Sequence, residues 1–313
     1  MRPRLGRSAV AAVAVALAGC GLGPGESSEG TATLTVTRDY GTTPVVEATV
    51  DDPTESETVL RLLDREADIE TRYGGGFVQS IEGVAGGLQG DRSFDWFFYV
   101  NGVESPVGSA DVPLAGGDRV WWDHHDWTDV MRVPAVVGSW PEPFLQQSAG
   151  EDRLPVRVEC AGARSACRIA AERLSDEGVS VSEEPYRAEA GDEALRILVG
   201  PWPAVSRDPA AALIDDGPRA SGVFVRFMGG PAMELVALDE RAAPDSRLGR
   251  GAGLVAAVRD DEDPPTWVVS GVDAAGVQAA AEALGDETLT DRFAVIVAAG
   301  SDESLGVPVV DGG

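Results

Sequence analysis

The side chains most able to do chemistry crowd into one stretch. Asp123-His124-His125-Asp126 follows Trp121-Trp122 and precedes Trp127, and both histidines of the chain lie in it. Imidazole and carboxylate side by side could ligate a metal or move a proton. The run from Arg119 reads as a strand, and successive strand side chains face opposite sides. Trp121, Asp123, His125 and Trp127 therefore share one face, while Trp122, His124 and Asp126 share the other. Each face offers two ligands where zinc wants three or four, so we assign no metal. No Gly-x-Ser-x-Gly elbow accompanies the histidines, and no catalytic constellation is legible, so we read the chain as a binding protein and not an enzyme. The candidate ligand-binding set is Tyr99, Trp121, Asp123, His125 and Trp127: aromatic rings beside polar groups at a strand's end, where flat ligands or sugars stack. The alternative is that these rings are core.

Three cysteines complete the reactive inventory. Cys20 follows Leu17-Ala18-Gly19. Ahead of it stand Arg2, Arg4 and Arg7, then the apolar run Ala9 to Ala18, too short to span a bilayer and right for a secretory signal. Leu17-Ala18-Gly19-Cys20 resembles a bacterial lipobox, which implies cleavage after residue 19 and lipid on Cys20. Residues 20–30 are Gly-, Ser- and Glu-rich, the composition of a flexible tether. The expected location is the cell membrane, lipid-anchored and facing outward. In an exported chain Cys160 and Cys167 form a disulfide by default. The formal charge is −27 and every basic residue is Arg, a balance that phosphate backbones repel, so nucleic acid is excluded as a partner. Two glycine-rich spots are not nucleotide loops. Gly249-Arg250-Gly251-Ala252-Gly253 precedes a strand instead of following one, and Ser270-Gly271-Val272-Asp273 lacks the phosphate-loop Lys.

The elements that must position these residues fall into two groups, and 313 residues suffice for two domains. In residues 31–127 the patterning gives strand 33–38, strand 45–50 and a helix lined by Val59, Leu62, Leu63 and Ala67. Thr54 and Glu57 look like its capping box, and Gly74-Gly75-Gly76 its stop. Strand 77–81 follows, then two aromatic strands ending at Asn101-Gly102 and starting after Gly116-Gly117-Asp118. Residues 128–150 are Pro-rich and apolar, an ordered connection and not a free linker. Residues 151–313 alternate strands and helices, an α/β layered domain with a mixed sheet. The fold class is α+β.

The order strand-strand-helix-strand-strand-strand is that of a β-grasp domain. Trp96-Phe97-Phe98-Tyr99-Val100-Asn101-Gly102, with Gly117-Asp118-Arg119-Val120-Trp121-Trp122 after it, resembles a family of bacterial surface domains related to the C-terminal domain of transcobalamin and intrinsic factor. The resemblance covers roughly residues 31 to 127. It implies a lipid-anchored protein capturing a vitamin or cofactor, with cobalamin as the possible ligand, for an importer. The rival reading is an envelope assembly or adhesion module that binds a protein or a glycan. Replacing Cys20 by Ser is expected to release the protein from the membrane fraction, since retention rests on the acyl chains; fractionation with salt-washed membranes checks it.

Overall fold

The computed structural model describes residues 27–54, 56–72, 76–146, 153–187, 194–229 and 232–310. Cys20 and the signal segment lie outside the described residues. Among the described residues no helix is long and apolar enough to cross a membrane.

The first part of the chain runs β1 (Thr31–Arg38), β2 (Thr43–Asp51), α1 (Val59–Glu66), β3 (Ile69–Arg72), β4 (Phe77–Ile81), β5 (Val84–Ala85), β6 (Gly87–Gln89), β7 (Arg92–Val100), β8 (Val103–Glu104) and β9 (Arg119–Asp126). The main sheet is ordered β2-β1-β9-β7-β6, with β8 also on β7. β1 and β9 are parallel neighbours and the other pairs are antiparallel. α1 buries Val59, Leu62 and Leu63 against Leu34, Val36, Trp96, Phe98 and Trp122 on one face of this sheet. Two local expectations shift. The helix is capped by Thr58, whose hydroxyl accepts the Arg61 N–H, and not by Thr54, which bridges to Ser27 instead. The helix also ends at Glu66, well before Gly76, because the chain turns straight into β3. β4 then pairs with β3 and β5 in a small sheet of its own. The segment read as tether is attached at its end: Ser28 N–H donates to Pro53 O, and Gly116 N–H to the Ser28 hydroxyl.

Asn101 and Asp118, the polar pair at the ends of the two aromatic strands, are both 1% exposed. Asn101 Nδ2 donates to Asp118 Oδ1 at 2.9 Å, while Asn101 Oδ1 accepts the Arg119 N–H at 2.9 Å. Asp118 Oδ2 takes the Ala115 N–H at 2.7 Å. The Val-Asn-Gly and Gly-Asp pieces are thus a lock on the strand ends. Asn suits its place further because φ there is 53°, a left-handed value it tolerates better than most side chains.

The second part runs β10 (Val156–Cys160), α2 (Arg164–Asp176), β11 (Val181–Pro185), β12 (Leu195–Pro201), α3 (Trp202–Val205), α4 (Pro209–Ala212), α5 (Pro218–Ser221), β13 (Val225–Met228), β14 (Glu234–Leu238), β15 (Pro244–Leu248), β16 (Ala252–Val258), β17 (Thr266–Gly271), α6 (Ala274–Glu282), α7 (Asp286–Leu289), β18 (Ala294–Ala298) and β19 (Ser304–Val307). Its mixed sheet is ordered β11-β10-β12-β17-β16-β18-β19, and β13-β14-β15 form a separate antiparallel sheet. Near-continuous apolar runs such as Ala252–Val258 are buried throughout, as strands covered on both faces should be. α2 and α6 cover one face, together with Trp140 and Phe144 from the Pro-rich connection. Cys160 and Cys167 are disulfide-bonded across the turn from β10 into α2, with Cα atoms 5.8 Å apart. The other face shares one apolar cluster with the first sheet, where Tyr40, Tyr99 and Trp121 meet Phe224 and Phe293.

The connection carries a misplaced-looking charge. Glu142, 3% exposed, accepts the Gln146 N–H, and burial pushes its carboxyl up to about 7. Between an ordinary Glu value and about 7 the folded chain keeps a proton that the unfolded chain releases, so stability falls as pH rises through that window and levels off above it. Glu142→Gln is expected to remove a decline on the order of 3 kcal/mol, leaving the decline from the other carboxyls that burial raises, among them Asp291 at about 6. Urea midpoints from pH 4 to 8, compared between the wild-type chain and the variant, measure the Glu142 share.

Candidate functional site

The predicted face is interior. Tyr99 and Asp123 are 0% exposed, His125 is 2% and Trp121 is 3%. Their polar atoms are almost all consumed by neighbours. Asp123 accepts the Thr37 hydroxyl at 2.6 Å, the Gly41 N–H at 2.9 Å and the Tyr40 N–H at 3.1 Å, and faces His125 Nδ1 at 2.8 Å. Trp121 Nε1 donates to the Thr37 hydroxyl. The His125 ring stacks between Tyr40 and Phe97, with centroids at 4.6 and 4.5 Å, and takes the edge of Phe293 at 5.4 Å. Gly41 has φ +85°, and a Cβ there would meet the Asp291 carbonyl oxygen at 2.0 Å, so only glycine lets this turn approach the second part of the chain. The face offered as a ligand platform is therefore the junction between the two sheets. Asp123 to Asp126, expected at a rim, are all buried. Among the described residues no group of three or more His, Cys, Asp or Glu is placed to hold a metal ion.

Trp127 behaves differently. β9 ends at Asp126, so the strand alternation that grouped Trp127 with Trp121 does not reach it. It lines a cavity of about 400 Å³ with Trp96, Phe98 and Trp122 from the opposite face of the sheet. The cavity has a backbone cause. β6 pairs with β7 over Arg92–Phe94, and β8 pairs with it over Tyr99–Val100. Between them, residues 95–97 have β9 on one side and no paired strand on the other among the described residues, while the Phe98 carbonyl accepts the Ser105 N–H. This gap in the sheet edge is where the cavity opens. Phe98 and Trp122 stack at 4.7 Å, and Trp96 Nε1 donates to the Val84 carbonyl at 2.9 Å, contacts that orient the wall. The Nε1–H groups of Trp122 and Trp127 are buried without a hydrogen-bond partner. Val107 and Met131, 52% and 67% exposed, add unshielded apolar surface to the lining.

Three charged residues share this lining. Glu104 lies 3.3 Å from Arg132 Nε, and burial raises its carboxyl while Arg132 opposes that. Asp95 Oδ1 accepts the Trp96 N–H at 3.0 Å. Burial raises the Asp95 carboxyl too, and no Arg among the described residues stands within ion-pair distance of it. On the same face of β9, His124 packs on Trp96 at 5.0 Å, and burial lowers its pKa. Reading from sequence missed Trp96, Phe98 and Trp122 as a set. Their alternation was visible, but nothing local says which face another part of the chain will cover.

Residues 56–126 match the family model described as Domain of unknown function (DUF4430). That span is the aromatic half of the first sheet with its helix and excludes Trp127. The crystal structure of a protein from Ruminococcus gnavus ATCC 29149, described as a metal-binding protein, is similar over 31% of this chain and 98% of its own. Identity there is 16% and the TM-score is 0.25, too low for an argument about the site. No curated protein matches the chain. None of these comparisons adds the transcobalamin likeness.

The two tryptophans are expected to separate on mutation. Trp121→Ala leaves a cavity at the sheet junction and takes one donor from the Thr37 hydroxyl, and is expected to cost ~3–5 kcal/mol. Trp127→Ala, at a half-buried position, is expected to cost under about half of that. Urea unfolding of both variants checks the assignment of one ring to core and the other to cavity wall.

Proposed function

We propose that this protein is a lipid-anchored, extracytoplasmic binding protein that holds a small ligand with a flat or compact apolar body, without chemistry, in the cavity walled by Trp96, Phe98, Trp122 and Trp127. The observation that carries the reading is the cavity itself: an aromatic-walled opening in a sheet edge, with a few polar groups around it, is the ordinary form of a small-molecule site. The lipobox at Cys20, the acidic balance and the disulfide favour life outside the cytoplasm. Presentation of the ligand to an importer is the role suggested by the transcobalamin-like motif. Cobalamin is much larger than this cavity, so it would seat only an edge or its base here.

The second reading, an assembly or adhesion module for an envelope protein or glycan, is favoured by one feature. Val107 and Met131 leave apolar surface exposed beside the cavity, and such patches also serve macromolecular contacts. A titration of the full chain, followed by Trp fluorescence, separates the two. The expected outcome is saturable quenching or a blue shift with at least one of a panel of cobalamin, flavin and other flat cofactors, lost in Trp127→Ala. Response to glycans alone, or to none of the panel, overturns the small-molecule reading.

A further inference from the structure

We propose that the ligand group seated in the aromatic cavity is an organic cation, a methylated ammonium or a comparably compact positive head on an apolar body. This inference rests on the binding reading above and adds the charge of the ligand. The first observation is the wall. Trp96, Phe98, Trp122 and Trp127 bound one cavity, and the faces of such rings carry the negative side of their quadrupole. A cation held over Trp is attracted by this field, more strongly once desolvated.

The second observation is the charge count of the same lining. Glu104 is matched by Arg132 at 3.3 Å. Asp95 is matched by no Arg among the described residues, accepts a single backbone N–H, and stands across from His125 on β9, which draws its carboxyl down against the burial. Its carboxylate is half-buried at the cavity edge and in no ion pair, where screening is weaker than in bulk water. A neutral ligand filling the cavity would cover that carboxylate and give it nothing in return, at a desolvation cost. An anionic ligand would face both the carboxylate and the ring faces with like charge, and the one Arg nearby is already engaged by Glu104. A cation satisfies both demands together. Over longer range, the −27 formal charge of the chain concentrates cations near its surface.

The size is consistent with the claim. A cavity of about 400 Å³ admits a trimethylammonium head with a short chain or one ring attached. The buried, unpartnered Nε1–H groups of Trp122 and Trp127 place no demand for a negative head group, because a hydroxyl or ether oxygen on the ligand's body serves an indole N–H as well as an anion does.

The test compares charged and uncharged isosteres on the full mature chain. Choline is titrated against 3,3-dimethyl-1-butanol, and benzyltrimethylammonium against neopentylbenzene, by Trp fluorescence and calorimetry. The cation of each pair is expected to bind about tenfold or more tightly than its neutral partner. Asp95→Asn is expected to erase most of that difference, by weakening the cation and by tightening the neutral partner, which no longer covers a carboxylate; its urea midpoint shows that the variant is folded. Trp127→Ala is expected to weaken both members. Equal or tighter binding of the neutral partners overturns the cation inference and leaves the binding reading standing, as does an unchanged preference in Asp95→Asn. If no cation binds while a flat neutral cofactor does, the cation inference again falls alone. If nothing binds at all, both fall.

Discussion

A single carboxylate holds the middle of this molecule together. Asp123 is wholly enclosed, and it gathers the Thr37 hydroxyl, the backbone N–H groups of Tyr40 and Gly41, and His125. A buried charge is tolerated only when its lone pairs are taken up by donors, so the donors have to be where they are. That requirement fixes the turn after β1 against the middle of β9. The turn in turn presents Tyr40, which stacks on His125 and meets Phe224 and Phe293 edge-on. The hydrogen-bonded centre and the apolar junction around it are one construction: the polar groups set the geometry and the rings exclude water from it.

This construction decides how the first sheet can be used. A sheet has two faces, and here one is committed to the second part of the chain through Tyr99, Trp121 and Phe293. The other packs against α1, β4 and Leu114. What is left is the edge. β6 and β8 cover the two ends of β7 and leave its middle open. The aromatic side chains that would have been ordinary core there become the wall of a cavity. The chain that follows β9 returns past the same opening and supplies Trp127, Met131 and Arg132. The opening is therefore made jointly by a missing strand partner and by a connecting segment that has no regular structure of its own.

The charges follow the same logic. Most buried ionic groups in the molecule are matched, as in the Glu159–Arg196–Asp208 cluster, where Arg196 lies 3.0 Å from Glu159 and 2.5 Å from Asp208. Arg92 likewise joins Asp126 to Glu240 across the sheet junction. Matched pairs of this kind specify geometry more than they add stability. Asp118 and Glu142 are buried without an ion pair and are held by hydrogen bonds from the chain instead; Asp95, half-buried at the cavity edge, accepts one backbone N–H, and it is the group on which the proposed preference for positive charge rests.

Much of this was written in local sequence. The alternation through Arg119–Asp126, the turn chemistry at Asn101-Gly102 and Gly117-Asp118 and the Cys160–Cys167 pairing follow from properties of a few adjacent residues, and such properties do not wait for the rest of the fold. Alternation even stated correctly that Trp121, Asp123 and His125 lie together. It could not state whether water, a ligand or another sheet lies above them, because that depends on Phe293, which is 168 residues further on than His125. Nor could it carry Trp127 across the end of a strand, or show that β6 and β8 stop short of each other on β7. Which residues share a face is a matter of backbone period and belongs to the sequence. Which face is buried, and where an edge is left open, is a matter of long-range packing, and only the tertiary structure decided it.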